Sequence, residues 1–332
     1  MKILLSSHAF YPQLGGIESA SELLAAEFVN AGHEVRLLTQ SSGEDKPEWQ
    51  FEVFRQPGAS ELLNLVRWCD VFFHNNISLQ TAWPLLLARK PWVIAHQTWI
   101  GRRSLADYFK RLALRFATNV SISCAVAKSL SATSTIIPNP YRDDLFYPMP
   151  EVVRDRELIF LGRLVSDKGV DLLITALKLL KDQKLTPRLT IVGSGPEEET
   201  LKALVARLGI KEQVSFAGSK TGVELARILN EHHVLVIPSR WAEPFGIVAL
   251  EGIACGCVTI GSQNGGLPDA MGPCGISFPN GNMRALAGAI REVLTGTGRW
   301  EALRAGAQEH LALHTAHSVA AAYLEIFQKV TR

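Results

Sequence analysis

The chain has 332 residues, a formal net charge of +2, and a composition that is 47% hydrophobic and 20% charged. That length accommodates two domains of about 100–200 residues each, and the composition excludes a disordered chain. A charge so near neutral leaves no electrostatic footprint for nucleic acid, so no nucleic-acid partner is expected.

Five cysteines, Cys69, Cys124, Cys255, Cys257 and Cys274, lack the paired spacing of a zinc site. They read as reduced, mostly buried thiols, and the expected location is cytoplasmic, with peripheral contact at the inner membrane face open. The opening MKILLSSHAFYP carries too short an apolar run for a signal peptide and reads as a first strand. No stretch approaches the ~20 apolar residues of a membrane span.

In chain order, short apolar runs predict strands at residues 2–6, 34–39, 51–54, 70–74, 92–95, 120–123 and 135–137. A helix is expected over 17–30, closed by Gly32 in a C-terminal capping position. Residues 138–150 hold four prolines in thirteen and read as a linker. The alternation then restarts, with strands at 158–161, 189–192, 214–216, 234–237, 258–260 and 276–278. Helices are expected between them at 170–181, 197–208 and 222–230, one more from Gly246, and two at the C-terminus. Strand–helix alternation predicts parallel sheets covered on both faces, here as two doubly wound units with a ligand cleft between them.

The most informative stretch is 236–256, VIPSRWAEPFGIVALEGIACG. Its strand ends at Pro238 and Ser239, and Pro244 pushes Glu243 toward extended backbone. From Gly246 the pattern Ile247, Val248, Leu250, Ile253, Ala254 suits a buried helix with Glu251 as its one carboxylate. No acid lies between Phe245 and Leu250, so the first turn is open to an anion such as a phosphate. A lone acid amid apolar neighbours needs a partner, and ribose hydroxyls would supply one. The plainer reading is a helix with a surface glutamate.

Three further sites follow strands. Gly15-Gly16 allows close backbone approach at a helix start, and Gly162-Arg163-Leu164 with Lys168-Gly169 places two cations at a strand end, suited to a diphosphate. His96 ends a strand where parallel sheets hold ligands, although a lone histidine is more often structural. Gly193-Ser194-Gly195 fails the dinucleotide fingerprint, because Glu198 stands where its third glycine belongs.

The form E-P-F-G-x-x-x-x-E at Glu243 and Glu251 resembles the E-x7-E motif of the retaining glycosyltransferases of family 4, the group 1 glycosyltransferases. G-R-L-x-x-x-K-G at 162–169 resembles that family's diphosphate-binding pair, and F-Y-P-x-x-G-G-x-E at 10–18 its N-terminal loop. Gly265-Gly266-Leu267-Pro268-Asp269 resembles its G-G-x-P-E loop, with Asp269 where Glu is usual.

The resemblance implies an α/β GT-B fold, two Rossmann-like doubly wound domains facing a central cleft. Residues 1–148, rejoined by a final helix at about 318–332, would form the acceptor domain, and 149–317 the nucleotide-sugar donor domain. It implies transfer of a sugar from a nucleotide-diphosphate donor to an acceptor hydroxyl with retention, in glycan, glycolipid or cell-surface polysaccharide biosynthesis. Arg163, Lys168 and the backbone of Phe245, Gly246, Ile247 and Val248 would hold the diphosphate, with Gly15 and Gly16 bordering it. Glu251 would hold the ribose, and Glu243 and His96 the sugar.

No Asp-x-Asp occurs in the chain, and no metal or other cofactor is expected beyond the nucleotide-sugar substrate. The implied partners are that donor and a glycan or lipid-linked acceptor. A nucleotide-sugar 2-epimerase of the same fold and a non-catalytic nucleotide-sugar binding protein fit the same residues.

Residues 99–116, WIGRRSLADYFKRLALRF, are basic and amphipathic. Such a stretch can lie on an anionic membrane or bind an anionic acceptor. A helix with one solvated charged face fits equally.

Overall fold

A computed structural model describes residues 1–13, 15–296 and 298–332, which form two compact units. The first comprises Met1–Tyr141 and His314–Arg332, and the second Arg142–Leu313.

The first unit opens with β1 (Lys2–Ser7), α1 (Gly16–Asn30), β2 (Glu34–Thr39) and β3 (Glu52–Arg55). It continues through α2 (Ala59–Trp68), β4 (Val71–Asn75), α3 (Leu79–Ala82) and β5 (Trp92–His96). Helix α4 (Leu105–Ala113), β6 (Thr118–Ser121), α5 (Cys124–Ser129) and β7 (Thr135–Ile136) complete its sheet layer. All seven strands are parallel, in the order β3-β2-β1-β4-β5-β6-β7.

Successive side chains of a strand face opposite ways, so one apolar run feeds two cores. Ile3 and Leu5 of β1 enter one core with Phe28 and Phe73, while Leu4 enters another with Leu38, Leu62 and Phe72.

The second unit runs β8 (Arg156–Leu161), α6 (Val170–Asp182), β9 (Leu189–Val192), α7 (Glu198–Arg207) and β10 (Val214–Gly218). Then come α8 (Gly222–Glu231), β11 (His232–Ile237), α9 (Ile247–Ala254), β12 (Val258–Ser262), α10 (Leu267–Met271) and β13 (Gly275–Phe278). Its six strands are also parallel, in the order β10-β9-β8-β11-β12-β13. In each sheet the chain builds outward one way and then returns to build the other way, with the reversal at β1/β4 and at β8/β11. Crevices for ligands form at the carboxyl ends of strands at such reversals.

Among the described residues, four helices follow β13 rather than the two expected: α11 (Met283–Thr295), α12 (Arg299–Arg304), α13 (Ala307–Ala312) and α14 (Ala316–Thr331). Glycine breaks the run: Gly296 ends α11, Gly298 starts α12 in the left-handed region at φ 70°, and Gly306 starts α13. The helical part of 99–116 is likewise shorter than its amphipathic pattern, since Ser104 caps α4 and the residues before it form a loop. Among the described residues, no helix is long and apolar enough to cross a membrane.

The C-terminal helix α14 belongs to the first unit, where Val319, Ala320, Tyr323, Ile326 and Phe327 join the core of β1, β4 and α1. Phe327 has no exposed surface and sits with its ring centroid 5.4 Å from Phe28 and 5.3 Å from Phe73. Removing a fully enclosed aromatic side chain leaves a cavity as well as lost burial. Phe327→Ala should therefore destabilise the first unit by about 3–5 kcal/mol, measured as a lowered chemical-denaturation midpoint.

Candidate functional site

The second unit gathers its chemistry at the carboxyl end of its sheet, around the β8/β11 reversal. Gly162 follows β8, and Arg163 beside it is exposed, with no partner among the described residues. Lys168 closes a single 3-10 turn over Ser166–Lys168, and Gly169, at φ 69°, starts α6. A Cβ on Gly169 would lie 2.1 Å from the Pro238 carbonyl oxygen, so only glycine lets the loop after β8 rest against the end of β11.

Gly193 serves the same purpose on the other side, since a Cβ there would lie 1.9 Å from the Gly162 carbonyl oxygen. The Gly193-Ser194-Gly195 stretch is thus a backbone packing element: the Leu164 N–H donates to the Ser194 carbonyl at 2.9 Å.

Glu243 is the best-held side chain of the site. Its Oε1 accepts from Lys168 Nζ at 2.6 Å and from Ser239 Oγ at 2.7 Å. The side chain is 12% exposed and that of Lys168 24% exposed, so the pair is shielded from bulk water on most sides. Oε2 receives no hydrogen bond among the described residues.

The backbone beneath it is clamped as well. The Gly266 N–H donates to the Glu243 carbonyl at 2.7 Å, and a Cβ on Gly265 would lie 2.3 Å from that carbonyl oxygen. The Gly265–Asp269 stretch, whose role the sequence left open, is therefore the seat of Glu243, and its turn runs into α10. Ser239 is fixed in turn, its carbonyl accepting from Ser262 Oγ at 2.7 Å and from Asn280 Nδ2 at 3.1 Å. The next residue, Arg240, makes a two-pronged ion pair with Asp171 of α6, at 2.6 and 2.7 Å.

Helix α9 starts immediately beyond. Gly246 precedes it in the left-handed region at φ 104°, and no side chain caps the helix or places an acid in its first turn. A Cβ on Gly246 would lie 2.7 Å from Leu267 Cδ1, and Phe245 is buried, so the start of α9 is seated on the Gly265–Asp269 turn. Ile247 and Val248, in the first turn of α9, are half-buried. Uncapped N–H groups and the helix dipole together favour an anion there.

Glu251 lies one turn further along. It is half-buried, and no residue among those described hydrogen-bonds its carboxyl. Burial pushes that carboxyl up from its ordinary 4.5 to about 7.

The remaining predicted residues belong to the first unit. Gly15 stands before α1 in extended backbone, with the Glu18 carboxylate folded over it, and Gly16 is the first helical residue. His96 ends β5 and has no accessible surface. Asn119 donates through Nδ2 to the Leu114 and Ala117 carbonyls, so its Oδ1 faces His96 Nε2, 3.0 Å away. Nε2 therefore carries the ring proton and Nδ1 is a bare acceptor, without a partner among the described residues. Burial lowers the pKa of the ring and keeps it neutral. The enclosed His96 ring ties the end of β5 to β6 through Asn119.

Sequence reasoning missed the long-range supports: Ser239, Asn280, Arg240 with Asp171, and the clamp at Gly265. Only Ser239 carried a local signal, as the hydroxyl at the end of a buried strand. It also missed a buried amide network at the strand ends of the first unit. There Gln97 Nε2 donates to Asn75 Oδ1 at 2.6 Å and to Asn139 Oδ1 at 2.8 Å, and Asn75 Nδ2 donates to Ser21 Oγ at 2.7 Å.

Burial pushes the Cys69 thiol up to about 12 and those of Cys257 and Cys274 to about 11, so these three offer no nucleophile at neutral pH. No cluster of three or more His, Cys, Asp or Glu side chains able to hold a metal occurs among the described residues.

Comparison with known proteins agrees with this architecture. The chain is 32% identical over 182 residues to D-inositol 3-phosphate glycosyltransferase of Jonesia denitrificans, a match covering 52% of this chain and 42% of that one. It is 36% identical over 140 residues to glycogen synthase of Mycobacterium tuberculosis, covering 42% and 34% respectively. The chain thus spans less than half the length of these curated relatives.

Among solved structures, HepE of Anabaena in complex with UDP and glucose superposes with a TM-score of 0.81 at 20% identity, covering 99% of this chain and 100% of that one. Sucrose-phosphate synthase of Thermosynechococcus elongatus superposes with a TM-score of 0.79 at 21% identity, covering 99% and 98%. At such identities the likeness is one of fold, and that fold is GT-B. The profile of the family described as glycosyl transferases group 1 matches residues 145–310, half of the sequence and all of the Arg163, Lys168, Glu243 and Glu251 site. The chain belongs to the group 1 glycosyl transferases.

Proposed function

We propose that the chain is a retaining, family 4 glycosyltransferase that moves a sugar from a nucleotide-diphosphate sugar to an acceptor hydroxyl, in glycan, glycolipid or cell-surface polysaccharide synthesis. The observation that carries this reading is the uncapped start of α9, flanked by the Lys168–Glu243 pair on one side and the unpartnered Glu251 on the other. Relatives named as glycosyltransferases and a GT-B neighbour solved with UDP and glucose support a donor of this class.

In this reading the diphosphate takes the N–H groups of Gly246, Ile247 and Val248, with Arg163 and Lys168 supplying positive charge. Glu251 accepts hydrogen bonds from the ribose hydroxyls, which stabilise its ionised form. Glu243, with one oxygen held by Lys168 and Ser239, keeps the other for the sugar hydroxyls. His96 is a positioning residue, acting through Asn119 and the end of β5.

The acceptor hydroxyl attacks the anomeric carbon from the face the diphosphate leaves. The carbon–phosphate-oxygen bond breaks, the new glycosidic bond forms, and the acceptor's proton passes to the departing diphosphate. The developing charge on that oxygen is what the cations and helix N–H groups stabilise. Because these groups supply the compensating charge, no divalent ion is required.

Arg163→Ala and Lys168→Ala should each lower the transfer rate by roughly a hundredfold or more. Wild-type rates in Arg163→Ala would refute the assignment. Lys168→Ala additionally strips Glu243 of its partner, so its melting temperature should fall as well. EDTA should leave the transfer rate unchanged, and a rate restored only by added divalent ion would contradict the metal-free reading.

Glu251 makes a pH-dependent prediction. Its folded-state pKa, about 7, lies above the ordinary 4.5, so ionising it costs the fold, and that cost appears as pH rises from about 4.5 through 7. Glu251→Gln removes the cost. Its melting temperature should match wild type below pH 4.5 and exceed it above pH 7, while its UDP- or GDP-induced thermal shift is lost. A variant that keeps the full ligand shift would separate Glu251 from the donor.

A further inference from the structure

Helix α4 inverts the usual arrangement of a surface helix. An amphipathic helix on a globular protein turns its apolar stripe to the core and its charges to water. Here Leu105, Tyr108, Phe109 and Leu112, one stripe at i, i+3, i+4 and i+7, are 77%, 62%, 52% and 39% exposed, and Phe116 just beyond is 76% exposed. No residue of α4 is buried. The segment is anchored from below by Ile100 and Leu114, which join Ile77 and Ile94 in a small core.

The presentation is built rather than loose. Ser104 Oγ accepts from the Asp107 N–H at 3.1 Å, and the Asp107 carboxylate accepts from the Ser104 N–H at 3.1 Å, closing a reciprocal cap. Arg111 reaches back to the Gly101 and Ile100 carbonyls at 3.1 and 2.8 Å, tying the helix to its own entry loop. These local bonds hold α4 in place while its aromatic face stays bare.

The charges around that face have one sign. Arg102, Arg103 and Arg115 are exposed, Lys110 is half-buried, and Asp107, the sole acid of 99–116, faces the capping N–H groups. We infer that α4 and its flanking arginines form a docking surface for an anionic lipid bilayer. Leu105, Tyr108, Phe109, Leu112 and Phe116 enter the headgroup boundary, and Arg102, Arg103, Lys110 and Arg115 meet lipid phosphates. A second copy of the chain is the poorer occupant, because a two-fold contact across this face sets the same cations against one another.

The test is flotation of the full chain with phosphatidylcholine vesicles, with and without phosphatidylglycerol, at low and high salt and without nucleotide sugar. This readout is independent of transfer activity, so it fails or succeeds separately from the proposed reaction. Binding should require phosphatidylglycerol and weaken with salt. Arg102→Gln/Arg103→Gln should bind roughly 30-fold more weakly, from two lost cations at a charged surface. Leu105→Ser/Phe109→Ser, with an unchanged melting temperature because both residues are exposed, should not float at all.

Equal flotation with and without phosphatidylglycerol, no flotation under any condition, or wild-type flotation of Leu105→Ser/Phe109→Ser would each overturn the inference. A dimer in sedimentation equilibrium that Leu105→Ser/Phe109→Ser disperses would assign the face to a second copy instead.

Discussion

Lys168 and Glu243 are separated by 75 residues of chain, and their side chains meet at 2.6 Å over the strand-order reversal of the second sheet. Partial burial makes that contact a constraint rather than an ornament. Taking both charges out of water is costly, and their attraction offsets the cost only with good geometry and supporting hydrogen bonds. Ser239 supplies one such bond, and the clamped backbone at Gly265 and Gly266 supplies the geometry. The loops after β8 and β11 are thereby locked together, and with them the position of Arg163 relative to the start of α9.

Close backbone contact between loops is what allows so many groups to converge. Gly169, Gly193 and Gly265 each sit where a Cβ would fall within 2.3 Å of a carbonyl oxygen on a neighbouring loop. Parallel strands of this kind place all their following loops on one edge, and each missing side chain lets two of those loops touch. The backbone there is therefore stiff while several polar groups stay bare: an uncapped helix start, an Arg163 without a partner among the described residues, and a carboxyl at Glu251 lifted toward neutrality by burial.

The first unit handles its polar groups differently. Its strand ends carry Asn75, Gln97 and Asn139 in a closed network of amide bonds, and His96 is enclosed with its ring proton given to Asn119. The amides of that network bond to one another, and such mutual bonding rigidifies a fold. Polarity is thus spent inward at these strand ends, whereas α4 exposes apolar surface outward. The two features are opposite departures from the usual rule of apolar inside and polar outside.

Local pattern determined the element types, because a buried parallel strand is a short apolar run and a helix beside it has a 3.6-residue stripe. The bare start of α9 and the Glu243–Glu251 spacing were readable for the same reason: each lies within one or two adjacent elements. Helix count near the C-terminus was less readable, since single glycines at 296, 298 and 306 redirect the chain without breaking the apolar pattern around them. Only the tertiary structure decided which residues face one another. Lys168 on Glu243, Gly169 under Pro238, Gly265 against Glu243 and His96 on Asn119 are contacts made by sheet order and loop packing, and no local window contains both partners. Burial is the same kind of quantity. The raised carboxyl of Glu251, the enclosed ring of His96 and the exposed aromatic face of α4 depend on what the rest of the chain places around them, which a residue's own neighbours in sequence do not specify.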